Sequence, residues 1–227
     1  MGKIDVTLNG TPVSGSEGMT ILELAQENGI DIPTLCYMEE LTPTGSCRIC
    51  SVEITGARTL VAACHTPIQA NMDIHTHSPK VLAARRVIIE LLFANHTGNC
   101  LMCDKANICE LRKIATDLGV GLPRIRGEKH FYEIEEVSPY IVRDLTKCIL
   151  CRRCVRACRE IKKEGVFGIA YRGFDSKVVV DLDQELDRSV CESCDVCVQA
   201  CPVGALTKKE DRFGLKKKEG APLVITG

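Results

Sequence analysis

The sequence predicts an α+β chain made of three small units in series and a polar tail. Three observations carry this: strand-period alternation around a hairpin turn at the start, capped helices further on, and fifteen cysteines in spaced groups among 227 residues. In residues 1–77, Ile4, Val6 and Leu8 alternate with polar residues, Asn9-Gly10 makes a tight turn, and Val13 begins the return strand. Thr20 and Glu23 form a capping box before a helix from Ile21 to Asn28, which Gly29 closes. Ser51–Thr55 and Thr59–Ala63, joined across a turn containing Gly56, read as a second hairpin. Two hairpins and one helix predict a β-grasp-like sheet with the helix packed on it.

Residues 78–137 form the second unit. Ser78 is an N-cap with Pro79 at the first helical position. Val81, Ala84, Ile88, Leu91 and Leu92 are expected to share one apolar face, and Asn95 and Gly98 to end the helix. Leu111, Ile114, Ala115 and Leu118 predict another helix, stopped by Gly119. The third unit, 138–206, holds two dense cysteine runs, each leading into a short helix, with strand-like Val178-Val179-Val180 between them. Residues 207–227 read as a lysine-rich, solvated tail.

Composition narrows the function. Lys and Arg number 29 against 30 Asp and Glu, for a net charge of −1, which argues against nucleic acid or an anionic membrane as the main partner. The longest apolar stretch, residues 87–94, is broken by Glu90 and falls short of the roughly 20 residues that span a bilayer. Met1-Gly2-Lys3 runs straight into strand residues with no export signal, so a cytoplasmic location is expected. Fifteen cysteines are an odd count in a reducing compartment, which favours metal over disulfides. With no Trp, five Phe and four Tyr, metal clusters would also help to hold small units folded.

The last two runs carry the strongest signal. Cys148-x2-Cys151-x2-Cys154-x3-Cys158 and Cys191-x2-Cys194-x2-Cys197-x3-Cys201-Pro202 have the bacterial two-cluster ferredoxin spacing, in which the fourth cysteine of each run ligates the other cluster. Three thiolates two residues apart wrap one cubane, and the following helix carries the fourth to its neighbour. One [4Fe–4S] cluster is therefore expected on Cys148, Cys151, Cys154 and Cys201, and another on Cys158, Cys191, Cys194 and Cys197. Arg159 stands where Pro often follows. Zinc, the competing reading, favours separated C-x2-C pairs.

Cys36-x10-Cys47-x2-Cys50-x13-Cys64 shares the close pair and distant fourth ligand of plant-type ferredoxins, though not their spacing. It follows the first helix and Ile32-Pro33, and the small residues Thr44, Gly45 and Ser46 let backbone amides approach cluster sulfurs. A [2Fe–2S] cluster fits best, with zinc as the alternative. His96-x3-Cys100-x2-Cys103-x5-Cys109 lacks one cysteine, and His96 completes a third [4Fe–4S] set. Twelve cysteines fill three sites of four and leave these three over. His65, His75, His77 and His130 are then surplus, with His65 notable because it follows a ligand. Arg152, Arg153, Arg156, Arg159, Lys162 and Lys163 crowd one run. They read either as a dock for an acidic carrier or as a solvated helix face paired with Glu160 and Glu164, the latter preferred. Phosphate loops, G-x-S-x-G and HExxH are absent, so no catalytic residue is expected.

A β-grasp [2Fe–2S] unit, then His-x3-Cys-x2-Cys-x5-Cys, then an eight-cysteine ferredoxin unit resembles the front half of iron-only hydrogenases. It also resembles the large iron–sulfur subunit of bacterial complex I and the small diaphorase subunit of NAD-reducing hydrogenases. The resemblance covers residues 1 to about 206 and all sixteen ligand positions. Two complete runs in the third unit look most like the iron-only type, including the NADH-linked, electron-bifurcating complexes. Only 26 residues follow Cys201, too few for a hydrogen-cluster domain. The resemblance therefore implies an electron-transfer subunit, wiring an FMN/NAD(P)H flavoprotein to hydrogenase subunits on other chains, with the nickel–iron type favoured. A small [2Fe–2S] subunit and soluble ferredoxin are further implied partners. Competing readings are the same role in an NAD-dependent formate dehydrogenase or complex I-like enzyme, a free polyferredoxin, and a zinc-stabilised interaction module.

Overall fold

The computed structural model describes residues 2–96, 99–186, 191 and 193–210. Strand β1 (Lys3–Leu8) turns through Asn9 and Gly10, both at positive φ, into antiparallel β2 (Thr11–Ser16), with Val6 opposite Val13. Helix α1 (Ile21–Glu27) starts at Thr20, whose hydroxyl accepts from the Glu23 N–H while the Glu23 carboxylate accepts from the Thr20 N–H. Asn28 caps its end and Gly29 leaves it at φ 69°. Ile21, Leu22, Leu24 and Ala25 bury their side chains with Val6, Leu8, Ile68 and Ile74. A Cβ on Gly15 would stand 2.6 Å from Ile68 Cδ1 and 3.0 Å from Leu24 Cδ1, so only glycine lets β2 pass this close to the core.

Strands β3 (Ser51–Ile54) and β4 (Val61–Ala62) pair antiparallel, as the second hairpin requires. The sequence pattern did not reveal β5 (Asp73–His75), which runs parallel to β1 and antiparallel to β3 and joins the two hairpins. The sheet order is β2-β1-β5-β3-β4. Only one residue of β5 is apolar, and its partners lie far away in sequence, so no local periodicity marks it.

Helix α2 (Pro79–Asn95) begins at the Ser78 cap with Pro79 at its first position. Its buried face differs from the expected one. Val81, Arg85 and Ile89 point inward, while Leu91 is 51% exposed and Ala84, Ile88 and Leu92 are half-buried. The helix is apolar on several sides, so its pattern could not select a face, and Arg85 turns inward because its Nη2 donates to the Ser51 carbonyl at 3.0 Å. His96 caps α2; Gly98 lies outside the described residues. Helix α3 (Glu110–Asp117) buries Leu111, Ile114 and Ala115, and Gly119 follows at φ 65°.

In the third unit, β6 (Ile141–Arg143) precedes the first cysteine run. Helix α4 (Arg153–Arg156) continues as a π-helical turn (Ala157–Ile161) that carries Cys158. Strands β7 (Phe167–Ala170) and β8 (Lys177–Val180) form a hairpin, α5 (Val196–Ala200) follows the second run, and β9 (Leu206–Lys208) pairs with β6. The regular structure thus extends to Lys208, two residues into the stretch that reads as tail, and residues 211–227 lie outside the described part. Among the described residues, no helix is long and apolar enough to cross a membrane.

One core belongs to no single unit. Leu35 and Ile49 from the first, Ile89 and Leu111 from the second, and Val203 and Ala205 from the third pack together.

Candidate iron–sulfur centres

The loop after α1 brings the first four cysteines together. Cys50 Sγ lies 3.4 Å from Cys64 Sγ, and Cys36 is in hydrogen-bond contact with both Cys47 and Cys64. Cys36, Cys50 and Cys64 are essentially inaccessible, at 1%, 1% and 0% exposure. Hydrogen bonds from Cys47 and then Cys64 hold Cys36 well below the usual thiol value, and the Cys64 contact brings Cys50 down to about 7. Their partners Cys47 and Cys64 are pushed up by the same contacts and by burial. Such crowding of buried sulfurs suits a site whose bound iron neutralises thiolates.

Cys100, Cys103 and Cys109 share a second neighbourhood. Burial raises the Cys109 thiol, and the negative forms of Cys103 and Cys100 add to it. His96 is 6% exposed, and its Nδ1 lies 3.1 Å from the Lys147 carbonyl. A carbonyl only accepts, so Nδ1 carries the proton and Nε2 keeps its lone pair, the arrangement of a metal-ligating histidine held by its other nitrogen. Burial lowers the basicity of His96, against the opposing Lys147 hydrogen bond, which favours neutral imidazole. Its side-chain hydrogen bond goes to Lys147 and not to the three cysteines.

The two ferredoxin-type runs cross over. Cys148, Cys151, Cys154 and Cys201 line one small cavity, and Cys158, Cys191, Cys194 and Cys197 line another. Each cavity takes three cysteines from one run and one from the other. Burial pushes the thiols of Cys148 up to about 11 and of Cys151 up to about 12 and raises that of Cys154 well above its ordinary value, with neighbouring sulfurs adding to the effect. Cys197 is raised to about 12, also first by burial. Thiols this reluctant to ionise alone require a strong positive charge to serve as thiolates, as iron provides. Backbone donors already face the sulfurs: the Leu150 N–H reaches Cys148 Sγ at 3.4 Å and the Val166 N–H reaches Cys158 Sγ at 3.3 Å.

Three of the loops share a backbone feature. Arg48 after Cys47, Arg152 after Cys151 and Asp195 after Cys194 have φ of 62°, 62° and 56°. Left-handed residues of this kind turn successive N–H groups to one side and form anion-binding concavities. Arginine and aspartate carry no sequence signal of this role.

The basic cluster also differs from expectation. Arg152 and Arg159 are exposed, but Arg153 and Arg156 are buried at 6% and 7%. Arg153 donates to Glu110 at 2.6 Å and to the Tyr37 carbonyl, and Arg156 donates to the carbonyls of Thr42 and Cys36. Glu160 accepts from the Thr42 N–H at 2.7 Å and so belongs to the same clamp. The solvated-face reading therefore fails for Arg153 and Arg156, because the loop at 36–42 offers backbone carbonyls that need donors. Of the surplus histidines, His65 is exposed, His75 pairs with Asp73 at 3.3 Å and His77 contacts Thr76 at 2.6 Å. His130 stacks against Tyr132 and lies beside Phe174.

Comparison with known proteins agrees with this geometry. Residues 2–79 match the 2Fe-2S iron-sulfur cluster binding domain family, and residues 85–124 the NADH-ubiquinone oxidoreductase-G iron-sulfur binding region. Residues 138–207 match the ferredoxin-like domain of NADH-quinone oxidoreductase subunit 3. The chain is 41% identical over 216 residues to NADP-reducing hydrogenase subunit HndD of Solidesulfovibrio fructosivorans, covering 92% of this chain and 37% of that one. It is 37% identical over 212 residues to an NADH-quinone oxidoreductase subunit of Rhizobium meliloti (strain 1021), covering 92% of this chain and 24% of that one. It thus spans well under half of these two curated relatives. A chain in the crystal structure of NAD+-reducing [NiFe]-hydrogenase in the H2-reduced state superposes with a TM-score of 0.86 at 30% identity, covering 93% of this chain and 89% of that one. Nested sulfur sites, the three domain matches and the near full-length structural match lead to one conclusion: the chain belongs to the family of iron–sulfur electron-transfer subunits of NAD(P)H-linked oxidoreductases, hydrogenases and complex I among them.

Proposed function

We propose that this chain holds one [2Fe–2S] and three [4Fe–4S] clusters and wires an FMN/NAD(P)H flavoprotein subunit to a hydrogenase module in the cytoplasm. Cys36, Cys47, Cys50 and Cys64 would hold the first. His96, Cys100, Cys103 and Cys109 would hold the second, with Cys148, Cys151, Cys154 and Cys201 for the third and Cys158, Cys191, Cys194 and Cys197 for the fourth. When bound, these groups supply one-electron redox chemistry. The protein's part is to hold them close, dry and in series.

The observation that carries the reading is the shared core. Cys47 of the first group, Cys109 of the second, and Cys148 and Cys201 of the third all pack against the same apolar cluster. Cys148, Cys154 and Cys201 share a further core with Cys158, Cys191 and Cys197 of the fourth group. Lys105 ties the second unit to the third by donating to the Val198 carbonyl at 2.8 Å, and the Glu110 N–H donates to Pro202 at 3.0 Å. A continuous path of packed ligand groups is what a relay needs and what an interaction module does not. Likeness to a chain of the NAD+-reducing [NiFe]-hydrogenase supports the nickel–iron choice. A small [2Fe–2S] subunit and soluble ferredoxin complete the partner set.

Anaerobic purification with iron and acid-labile sulfide analysis tests this. About fourteen irons per chain are expected from one two-iron and three four-iron clusters. Stoichiometric zinc, or iron near ten, removes at least one cluster. Purification of a tagged chain from its own cells should bring down flavin and nickel, and a complex without nickel would overturn the nickel–iron choice.

A further inference from the structure

Among the described residues, four arginines are buried: Arg85, Arg143, Arg153 and Arg156, at 1%, 2%, 6% and 7% exposure. A guanidinium cannot shed its charge, so each needs compensation where it lies. Arg156 meets that need with carbonyl oxygens of the loop at 36–42, and Arg153 with the Glu110 carboxylate and the Tyr37 carbonyl. Arg143 does not. It ends β6 and lines the cavity that Cys148, Cys151, Cys154 and Cys201 also line. Its Nη2 lies 3.2 Å from Glu135 Oε1 and 3.4 Å from the Val178 carbonyl, while Nε and Nη1 are buried with no partner among the described residues. The Phe167 ring lies 5.9 Å from its Cζ. Glu135 meets the guanidinium through Oε1 alone, its Oε2 being buried without a partner among the described residues.

We infer that Arg143 is a built-in counter-charge for the four-cysteine cavity and sets how readily the cluster held there accepts an electron, with Glu135 as its partial brake. The inference rests on reading those four cysteines as [4Fe–4S] ligands. Four thiolates would bring negative charge into a site where Cys151 and Cys154 are buried and Cys148 and Cys201 half-buried, and reduction adds one more. A fixed cation at the wall stabilises the reduced state more than the oxidised one, and poor screening makes that difference large. Two donors without protein partners, on a charged group in the wall of that cavity, are an arrangement that burial alone would disfavour. Arg143 lines the wall of the cavity. It acts through its field, as a positioning residue.

The test uses the full chain, reconstituted anaerobically and titrated electrochemically with EPR detection, with Cys201→Ser to identify the signal of this cluster. In Arg143→Gln the reduction equilibrium of that cluster should fall about tenfold, which is 59 mV for one electron. Arg143→Lys should stay near wild type. Glu135→Gln leaves the paired backbone bonds between residues 135 and 143 in place and should shift the equilibrium the other way. A purely structural role would not give opposite signs. Unchanged potentials in both Gln variants, or shifts in the same direction, overturn the inference. If Arg143→Gln does not fold, Glu135→Gln decides: an upward shift supports the inference and no shift overturns it. If wild type shows no four-iron signal that Cys201→Ser removes, the cluster assignment itself fails, and the counter-charge inference falls with it.

Discussion

Replacing Arg156 by Gln should uncouple the loop that begins at Cys36 from helix α4. The guanidinium is 7% exposed and donates from Nη1 to the Thr42 carbonyl and from Nη2 to the Cys36 carbonyl. Deleting it leaves two carbonyls to find new donors, at about 1–3 kcal/mol each. Relief of the buried charge offsets part of that loss, so a net destabilisation of about 3 kcal/mol follows. In a chain of this size that lowers the midpoint of thermal unfolding by about 6–12 °C. The local effect is more diagnostic. The Thr42 N–H donates to Glu160 at 2.7 Å, and Leu41 packs with Ala157 and Ala200. Once the clamp is gone, opening of this loop should be about a hundredfold more frequent. Hydrogen exchange of the cluster-loaded chain reads this directly in peptides spanning 36–44. Arg156→Lys keeps the charge but cannot fork to both carbonyls, and should fall between wild type and Arg156→Gln. Wild-type exchange in Arg156→Gln would refute the clamp, and an Arg156→Lys variant as perturbed as Gln would show that charge contributes nothing.

Cys158→Ser should abolish the EPR signal of the cluster assigned to Cys191, Cys194 and Cys197 and spare that of Cys148; loss of the Cys148 signal alone would mean that each run is ligated locally. His96→Cys should keep its cluster at a lower potential, because a thiolate adds negative charge that neutral imidazole lacks, whereas His96→Ala should leave it labile or three-iron. An intact cluster at unchanged potential in His96→Ala would exclude His96 as ligand. In Gly204→Ala the new Cβ would stand 2.6 Å from Cys103 Sγ, so the site of Cys100, Cys103 and Cys109 should strain by about 1–3 kcal/mol and lose iron first. Equal iron retention at all sites in that variant would show that the contact is relieved freely.

Elements defined by neighbours in sequence were legible. The capping box at Thr20 and Glu23, the Asn9-Gly10 turn, the Ser78-Pro79 start of α2 and the Gly119 stop of α3 each depend on a few consecutive residues, and all stand in the structure as read. The grouping of the cysteines was legible for the same reason, since thiolates around one cluster impose short, regular steps on the chain. Strand β5, the inward face of α2 and the burial of Arg153 and Arg156 were not, because each is decided by a partner many residues away. Asp73–His75 becomes a strand only when β1 and β3 offer their edges.

The sequence by itself determined the order of the units and the spacing of the cysteines, from which the sulfur groups and the proposed exchange of one cysteine between the last two runs are read. Tertiary structure alone decided how those groups stand to one another. Leu35, Ile49, Ile89, Leu111 and Val203 come from all three units, and no periodicity in any one of them announces that they bury a common surface. Arg143 shows the same limit at the scale of one side chain. In sequence it is a cation after two apolar residues, indistinguishable from a strand-end residue reaching for water. Burial between Glu135, Phe167 and a cavity lined by four cysteines is what turns its charge toward the sulfurs.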